Sequence, residues 1–112
     1  MANDIIIVTT PTLPGYKVAE ILDLVWGMTA RTRGLGGKLL GGLESLAGGE
    51  VSAFTSEMEK ARIEAIDRLK ENAKKLKADA VIGLDIETTE ILEGIVLISA
   101  TGTAVKIKKE QT

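Results

Sequence analysis

The sequence predicts an α+β domain of two layers, with an antiparallel sheet packed against one long helix. An apolar stripe with helical spacing runs through residues 52–77, and two segments of alternating residues follow it over residues 80–107. A short β-branched run precedes them near the start of the chain. A long helix followed by two adjacent strands is typical of this class, and 112 residues are enough for one core, so we expect a single domain over residues 1–112.

The first element is a short strand. Ile5, Ile6, Ile7 and Val8 are consecutive and apolar, and Pro11 and the Pro14-Gly15 pair stop the run in a turn. Because the run is almost wholly apolar, we expect it to be covered on both faces or paired at an interface.

Residues 16–30 fit two structures. The residues at helical spacing are Val18, Ile21, Leu22 and Val25. The residues that alternate as in a strand are Val18, Leu22, Leu24, Trp26 and Met28. From the residues alone, helix and strand both remain open.

Residues 31–50 hold seven of the twelve glycines of the chain. Leucines still recur there at helical spacing, at Leu35, Leu39, Leu43 and Leu46. Each glycine inside a helix costs ~1 kcal/mol against alanine. We therefore expect this segment to form a helix only where another surface covers it, by close packing in an assembly.

The helix over residues 52–77 has the clearest signals. Ser52, Thr55 or Ser56 can cap its start, and Ser56 with Glu59 forms a capping-box pattern. The apolar stripe comprises Phe54, Met58, Ala61, Ala65, Leu69, Ala73 and Leu76. Because three of these are alanines, we expect the helix to lie close to its sheet.

A hairpin is expected over residues 80–107. In its first strand, Ile82, Leu84 and Ile86 are expected on one face, with Asp85 and Glu87 on the other. The Glu93-Gly94 pair supplies the turn. The second strand alternates again from Ile95, and Gly102 marks a bend or bulge.

Composition excludes several classes of function. The chain has no cysteine and no histidine, which removes disulfides, thiolate chemistry, zinc sites of Cys and His, and histidine acid–base catalysis. A net charge of −2 with one Trp, one Tyr and one Phe gives no dominant basic patch and no stacking platform for nucleic acid. We nominate no catalytic residue and no cofactor, and expect a protein that is not an enzyme.

Targeting signals are not evident in the sequence. Asp4 stands where a signal peptide carries basic residues, and no apolar run approaches the ~20 residues that span a bilayer. We expect a soluble, cytoplasmic protein without a membrane partner.

One basic, glycine-rich stretch is a candidate anion site. Arg31, Arg33 and Lys38 give a local charge of +3 beside glycines whose N–H groups can bind phosphate. The phosphate-loop pattern fails, because Thr32 and Leu39 stand where it needs Gly and Ser or Thr. The alternative is a solvated loop or one that contacts another subunit.

A second candidate is a cation site. Asp85 and Glu87 share one face of a predicted strand, where two carboxylates can bind a hard cation. The alternative is a solvated acidic face that discourages edge pairing. Soft metals prefer thiolate and imidazole, so the sequence gives heavy-metal binding little chemical support.

Excess apolar surface indicates self-association. One helix on one sheet does not need all of this apolar surface, and large patches on small domains usually bind partners, most simply identical ones. We expect a homo-oligomer. The residues expected at its contacts are Ile5, Ile7, Trp26, Leu39 and Leu43.

Several motifs together resemble the YbjQ-like family, small bacterial and archaeal chains that carry a heavy-metal-binding label. They are Thr9-Thr10-Pro11, Gly48-Gly49-Glu50, Glu59-Lys60-Ala61-Arg62, Ala78-Asp79-Ala80-Val81-Ile82-Gly83 and Ala100-Thr101-Gly102-Thr103-Ala104-Val105. The resemblance spans residues 6–107. It implies a β-α-β-β subunit related to dodecin, a strand for residues 16–30, and a ring-shaped pentamer, with no established role and no metal motif that maps onto this chain.

The sequence departs from the family pattern at two positions. Asp23 and Lys77 stand where the family often has glycine. Lys77 follows the predicted helix, where glycine makes a left-handed cap and lysine does so only at a cost.

Overall fold

The computed structural model describes residues 4–32 and 52–111, and it has the predicted α+β fold. Within these residues, four strands and one helix follow in the order β1 (Ile6–Ile7), β2 (Tyr16–Thr32), α1 (Ser52–Lys75), β3 (Ala80–Leu92) and β4 (Ile95–Lys109). The strands form one sheet in the order β1-β3-β4-β2, and α1 packs on one of its faces. The sheet is mixed, because the short β1 pairs in parallel with the start of β3 while the other pairs are antiparallel.

Residues 16–30 belong to a strand. β2 pairs with β4 along its whole length, from Tyr16 opposite Lys109 to Thr32 opposite Ile95. Val25 and Gly27 are buried on the side of α1, whereas the neighbouring Leu24, Trp26 and Met28 are exposed on the other side. The structure therefore confirms a strand for residues 16–30, as the family resemblance implied, and excludes the helix.

A bulge in β3 overturns one sequence expectation. The register with β4 shifts between Ile82 and Asp85, where Gly83 has a left-handed φ of 63°. The bulge is therefore on β3, whereas Gly102 of β4, where a bend or bulge was predicted, pairs regularly with Val25. The bulge reverses the alternation of side chains. As a result, Leu84 and Ile86 pack on the helix side with Val81, whereas Ile82 lies in a separate cluster. The prediction that Ile82 shares a face with Leu84 and Ile86 is therefore wrong.

The main core lies between α1 and the sheet. The helix contributes small and medium side chains that are fully buried, namely Ala61, Ala65, Leu69 and Ala73. The sheet contributes Val25, Val81, Ile98, Ala100 and Ala104. The small side chains bring the backbones together, and a Cβ on Gly27 would overlap the carbonyl oxygen of Ala65 and the amide nitrogen of Leu69.

A second cluster covers part of the opposite face. Leu13, Ala80 and Val105 are buried there, with Tyr16 and Ile107 packed against them. Since Val105 follows the core residue Ala104 in the strand, the two clusters lie on opposite faces of β4. This cluster sits at the end of the sheet where β2 begins and β4 ends.

The helix ends in a Schellman motif. Lys77 has a left-handed φ of 62°. Its N–H donates to the carbonyl of Lys74 at 2.9 Å, and the N–H of Ala78 donates to the carbonyl of Ala73 at 3.2 Å. The lysine therefore occupies the conformation for which glycine is the usual choice.

Candidate functional site

The outer face of the sheet, on the side away from α1, is the candidate interaction site. We define this site as three neighbouring rows of outward-facing residues, which we call columns, one on each of the three long strands. They comprise Leu24, Trp26 and Met28 of β2, Thr103, Thr101 and Ser99 of β4, and Asp85 and Glu87 of β3. Residues opposite one another in adjacent strands share a face, so an apolar, a hydroxyl and an acidic column lie in parallel.

The apolar column is unusually open to solvent. Leu24, Trp26 and Met28 are 54%, 51% and 45% exposed, and Ile21 on the same strand is 70% exposed. Trp26 is the only tryptophan of the chain. Two of the most water-averse side-chain types, tryptophan and leucine, thus lie exposed next to each other along one strand, a pattern typical of an interface.

Among the described strands, β2 has one unpaired edge, which the helix partly covers. Arg68 donates from Nη1 to the carbonyl of Met28 at 2.6 Å, and Asn72 donates from Nδ2 to the carbonyl of Trp26 at 2.7 Å. Together with Trp26 and Met28 these side chains line a cavity of about 500 Å³ between strand and helix. Side chains that occupy edge carbonyls hinder the addition of a further strand there.

A charged cluster joins the end of β2 to α1. Arg31 contacts two carboxylates, with 2.9 Å from Nη1 to Oε2 of Glu57 and 3.2 Å from Nη2 to Oε1 of Glu64. Glu64 also accepts a hydrogen bond from the Thr29 hydroxyl and lies 3.5 Å from Nη2 of Arg68. The Thr29 hydrogen bond, helped by the two guanidinium groups and opposed by partial burial, lowers the pKa of Glu64.

This cluster bears directly on the predicted anion site. Both terminal nitrogens of Arg31 face carboxylates, and its Nε is buried without a hydrogen-bond partner in the part of the chain that the structure describes. An anion at Arg31 would have to compete with Glu57 and Glu64. Arg33 and Lys38 lie outside the described residues, and the anion site stays a prediction.

The predicted cation pair lies on the outer face. Asp85 and Glu87 are both exposed and are separated by one residue along β3. Over residues 4–32 and 52–111, no group of three or more His, Cys, Asp or Glu side chains is placed to hold a metal ion. The pair itself remains a prediction.

The residues expected at oligomer contacts lie in different surroundings. Trp26 is half exposed on the outer face. Ile5 is buried in the main core, and Ile7 packs partly against it. Leu39 and Leu43 lie outside the described residues.

The sequence indicated Glu64 and Arg68 as an ion pair along the helix, and the structure has that pair. It did not place four polar residues at this region, namely Glu57, Glu64, Arg68 and Asn72. All four flank the apolar stripe of α1, and Glu64, Arg68 and Asn72 recur every fourth residue. A polar row beside a helical stripe, facing the edge of a strand, is the signal that would have found three of them.

No helix among the described residues is long and apolar enough to cross a membrane.

Comparisons with known proteins match nearly the whole chain. A family described as "Putative heavy-metal-binding" matches residues 5–108. A UPF0145 protein of Methanoregula boonei is 44% identical over 110 residues, which cover 98% of this chain and 92% of the relative. A UPF0145 protein of Archaeoglobus fulgidus is 42% identical over 108 residues, 96% of this chain and 100% of the relative. Neither name states an activity.

One solved structure has a similar fold. A crystal structure of a protein with unknown function from Pediococcus pentosaceus superposes with a TM-score of 0.64, at 19% identity, over 93% of this chain and 98% of that chain. At this identity the likeness concerns the fold alone.

The donor set of this chain does not fit the heavy metals named in the family description. Soft metals select thiolate and imidazole ligands, and the sequence contains neither cysteine nor histidine. Of its three methionines, Met28 lies on the outer face and Met58 packs against the main core. We therefore assign no residue of this chain to a heavy-metal site.

Proposed function

The chain belongs to the YbjQ-like family, and we propose that it is a non-enzymatic module that works by self-association, as the ring-shaped pentamer that the family resemblance implies. The observation that carries this proposal is the exposed apolar column of β2. It lies on a sheet face that α1 does not cover, and it is continuous along the strand from Ile21 to Met28.

The energetics favour burial of this column. A large apolar side chain that becomes fully buried contributes about 1.5–3 kcal/mol. Since Ile21, Leu24, Trp26 and Met28 are 45–70% exposed, covering them would contribute about 3–6 kcal/mol. Association costs about 4–15 kcal/mol in lost freedom, so a stable assembly needs this surface and at least one further contact.

The rest of the outer face suits the periphery of such an interface. The hydroxyl column of Ser99, Thr101 and Thr103 is half-buried and can hydrogen-bond to a partner or to water. Asp85 and Glu87 lie beyond it, where charge is expected at the edge of an interface. A chain without histidine or cysteine also lacks the most common general base and every thiol nucleophile, which supports a role that is not catalytic.

Light scattering at micromolar concentration tests the proposal. We expect the wild-type chain to have several times its subunit mass of 11.9 kDa. The substitution Trp26→Ser should lower that mass, and Ile63→Ser, at a residue 60% exposed on the helix, is the matched control that should not.

The fluorescence of the single tryptophan gives an independent measurement. Dilution of the assembled wild type should shift the emission of Trp26 to longer wavelength as the residue becomes exposed to water. A monomeric wild type, or an assembly in which Trp26→Ser has no effect on mass, would contradict the proposal.

A further inference from the structure

The turn between β3 and β4 exposes apolar side chains with acidic neighbours. We call residues 91–94 the hairpin tip. Ile91 and Leu92 are 50% and 65% exposed. Glu93 is exposed beside them, and Asp85 and Glu87 lie further back on the same strand. None of these three acids takes part in a salt bridge within the described residues.

An apolar cavity lies at the opposite end of the sheet. We call it the basal pocket. It has a volume of about 480 Å³, and its apolar lining comes from Leu13, Pro14, Tyr16, Val18 and Ile107. A cavity of about 150 Å³ can hold benzene, so this pocket has room for two aliphatic side chains.

The rim of the basal pocket is basic. Lys17 lines the pocket together with one acid, Glu110. The adjoining depression is lined by Lys17, Lys108 and Lys109, with Glu110 again the acid there. The rim thus has the opposite charge to the hairpin tip.

A tip cannot reach the pocket of its own chain. Ala80, at the start of β3, belongs to the cluster that contains Leu13 and Val105, beside the pocket. β3 is 13 residues long, so at about 3.3 Å per residue its other end lies about 40 Å away. The partner for the tip must come from another molecule.

We propose that the hairpin tip of one subunit inserts into the basal pocket of the next, with Ile91 and Leu92 in the cavity and Glu93 against the basic rim. The inference rests on the self-association proposed above and identifies one of its contacts. Every copy has the tip at one end and the pocket at the other. The apolar side chains of the tip fit the size of the cavity, and its acidic charge is opposite to that of the rim. Such a head-to-tail contact is heterologous, and it forms a ring when the rotation between neighbours closes.

Cysteine labelling tests the contact directly, because the chain has no cysteine of its own. Leu92→Cys places a thiol on the tip and Val18→Cys places one at the pocket. A short bis-maleimide tolerates separations that a disulfide does not. We expect covalent dimers when the two variants are unfolded in urea and refolded together, and none when either is refolded alone.

Two results with the thiol variants would overturn the contact. One is an oligomeric mixture that gives no covalent dimer. The other is dimer formation by Leu92→Cys alone, which would place two tips together.

Charge reversal gives a second test with a built-in control. Glu93→Lys alone and Lys17→Glu alone should each weaken assembly by about tenfold, and the two changes in one chain should restore it. Glu59→Lys, at an exposed acid on α1 that lines neither the tip nor the pocket, should have no effect. Failure of the double variant to recover the mass of the wild type would contradict the pairing of these ends.

A substitution of an apolar side chain at the tip distinguishes this inference from the proposed function. Leu92→Ser should reduce the assembled mass, whereas Ile63→Ser, at an equally exposed aliphatic residue, should not. If the wild type is oligomeric and Leu92→Ser leaves its mass unchanged, only the tip contact is wrong. If the wild type is itself a monomer, the proposed function fails as well. Circular dichroism of each variant checks that the fold is intact.

Discussion

Gly27 lies where the backbones of β2 and α1 meet. A Cβ at this position would overlap the Ala65 carbonyl and the Leu69 amide, and would lie 2.9 Å from Cβ of Arg68. These neighbours belong mostly to the helix backbone and cannot rotate away. Only glycine therefore permits this distance between helix and sheet.

We expect Gly27→Ala to lower the free energy of unfolding by about 1–3 kcal/mol, because the helix must move away from the sheet to make room for the methyl group. Urea denaturation followed by circular dichroism measures the change. Ala19→Ser, at an exposed position of the same strand, is the control and should stay within about 0.5 kcal/mol of wild type. Equal stability of Gly27→Ala and wild type would show that α1 does not pack this closely.

Glu64 should make stability depend on pH in the acid range. The Thr29 hydroxyl and the guanidinium groups of Arg31 and Arg68 hold its pKa below the ordinary value of 4.5. A carboxyl group with a lowered folded-state pKa stabilises the fold fully above its unfolded pKa, and that contribution is lost as the pH falls through the folded pKa.

The thermal midpoint of wild type should therefore exceed that of Glu64→Gln at pH 7, and the difference should shrink below pH 4.5 as both side chains become neutral. Thermal scans between pH 3 and 7 measure it. The side chain is 37% exposed, so added salt should reduce the difference as well. A gap that stays constant across this pH range would mean that the carboxylate charge contributes nothing.

At the level of single residues, the sequence predicted some features and missed others. Lys77 was identified as a position where glycine would be natural, because the family that the chain resembles often has glycine there, just after the predicted helix. The partners of Arg31 were missed, because Glu57 and Glu64 are 26 and 33 residues away in sequence. Pairing between a strand end and a helix face depends on the packing of the two elements, and no local pattern carries it.

The end of α1 carries strain that substitution can relieve. Lys77 closes a Schellman motif with a left-handed backbone, which costs a residue with a Cβ about 1–2 kcal/mol. Glycine adopts this conformation freely but loses more entropy on folding.

We expect Lys77→Gly to raise the free energy of unfolding by about 0.5–1 kcal/mol, the balance of these two effects. Lys75→Gly, in the last residue of the helix, should change it in the opposite direction by up to about 1 kcal/mol. Urea denaturation of both variants provides the comparison. A loss of stability in both would mean that the cap contributes no strain.

The strands show why element type was easier to predict than the direction of side chains. Alternation over β3 and β4 indicated a hairpin, and the structure has one. β2 has two register irregularities, between Val18 and Glu20 and between Ile21 and Asp23. They interrupt the alternation of apolar and polar residues, so part of the strand has apolar residues at a helix-like spacing. The bulge at Gly83 then moved Ile82 to the other face. Bulges leave only a weak trace in sequence, here a single glycine.

For the whole molecule, the sequence could predict the α+β class and an excess of apolar surface. It could not predict where that surface lies, since exposure depends on which sheet face the helix covers. Trp26 was among the expected contacts and is exposed, whereas Ile5 lies inside the main core. The proposed contact between the hairpin tip and the basal pocket involves residues from opposite ends of the fold, so it depends on the three-dimensional structure.

Whether the protein binds a heavy metal depends on all the side chains of the chain that can act as metal ligands. We expect equilibrium dialysis with Cd²⁺ to recover far less than one ion per chain, since soft ions lack thiolate and imidazole ligands here. Tight stoichiometric cadmium would contradict this.

The carboxylate pair is tested with hard cations. Binding of Ca²⁺ or Mn²⁺ to Asp85 and Glu87 predicts a higher thermal midpoint in wild type that is lost in Asp85→Asn/Glu87→Gln. A flat response in wild type would reject the cation site.

The length of the sheet has a practical consequence for anyone who purifies this protein. The subunit measures 59 × 25 × 24 Å and has a radius of gyration of 17.7 Å, against about 13 Å for a compact domain of similar length. A rod-like body meets more friction than a sphere of the same mass and leaves a gel-filtration column early. A lone copy could thus be mistaken for a dimer against globular standards, and copy number has to be counted by a method that weighs particles without assuming their shape.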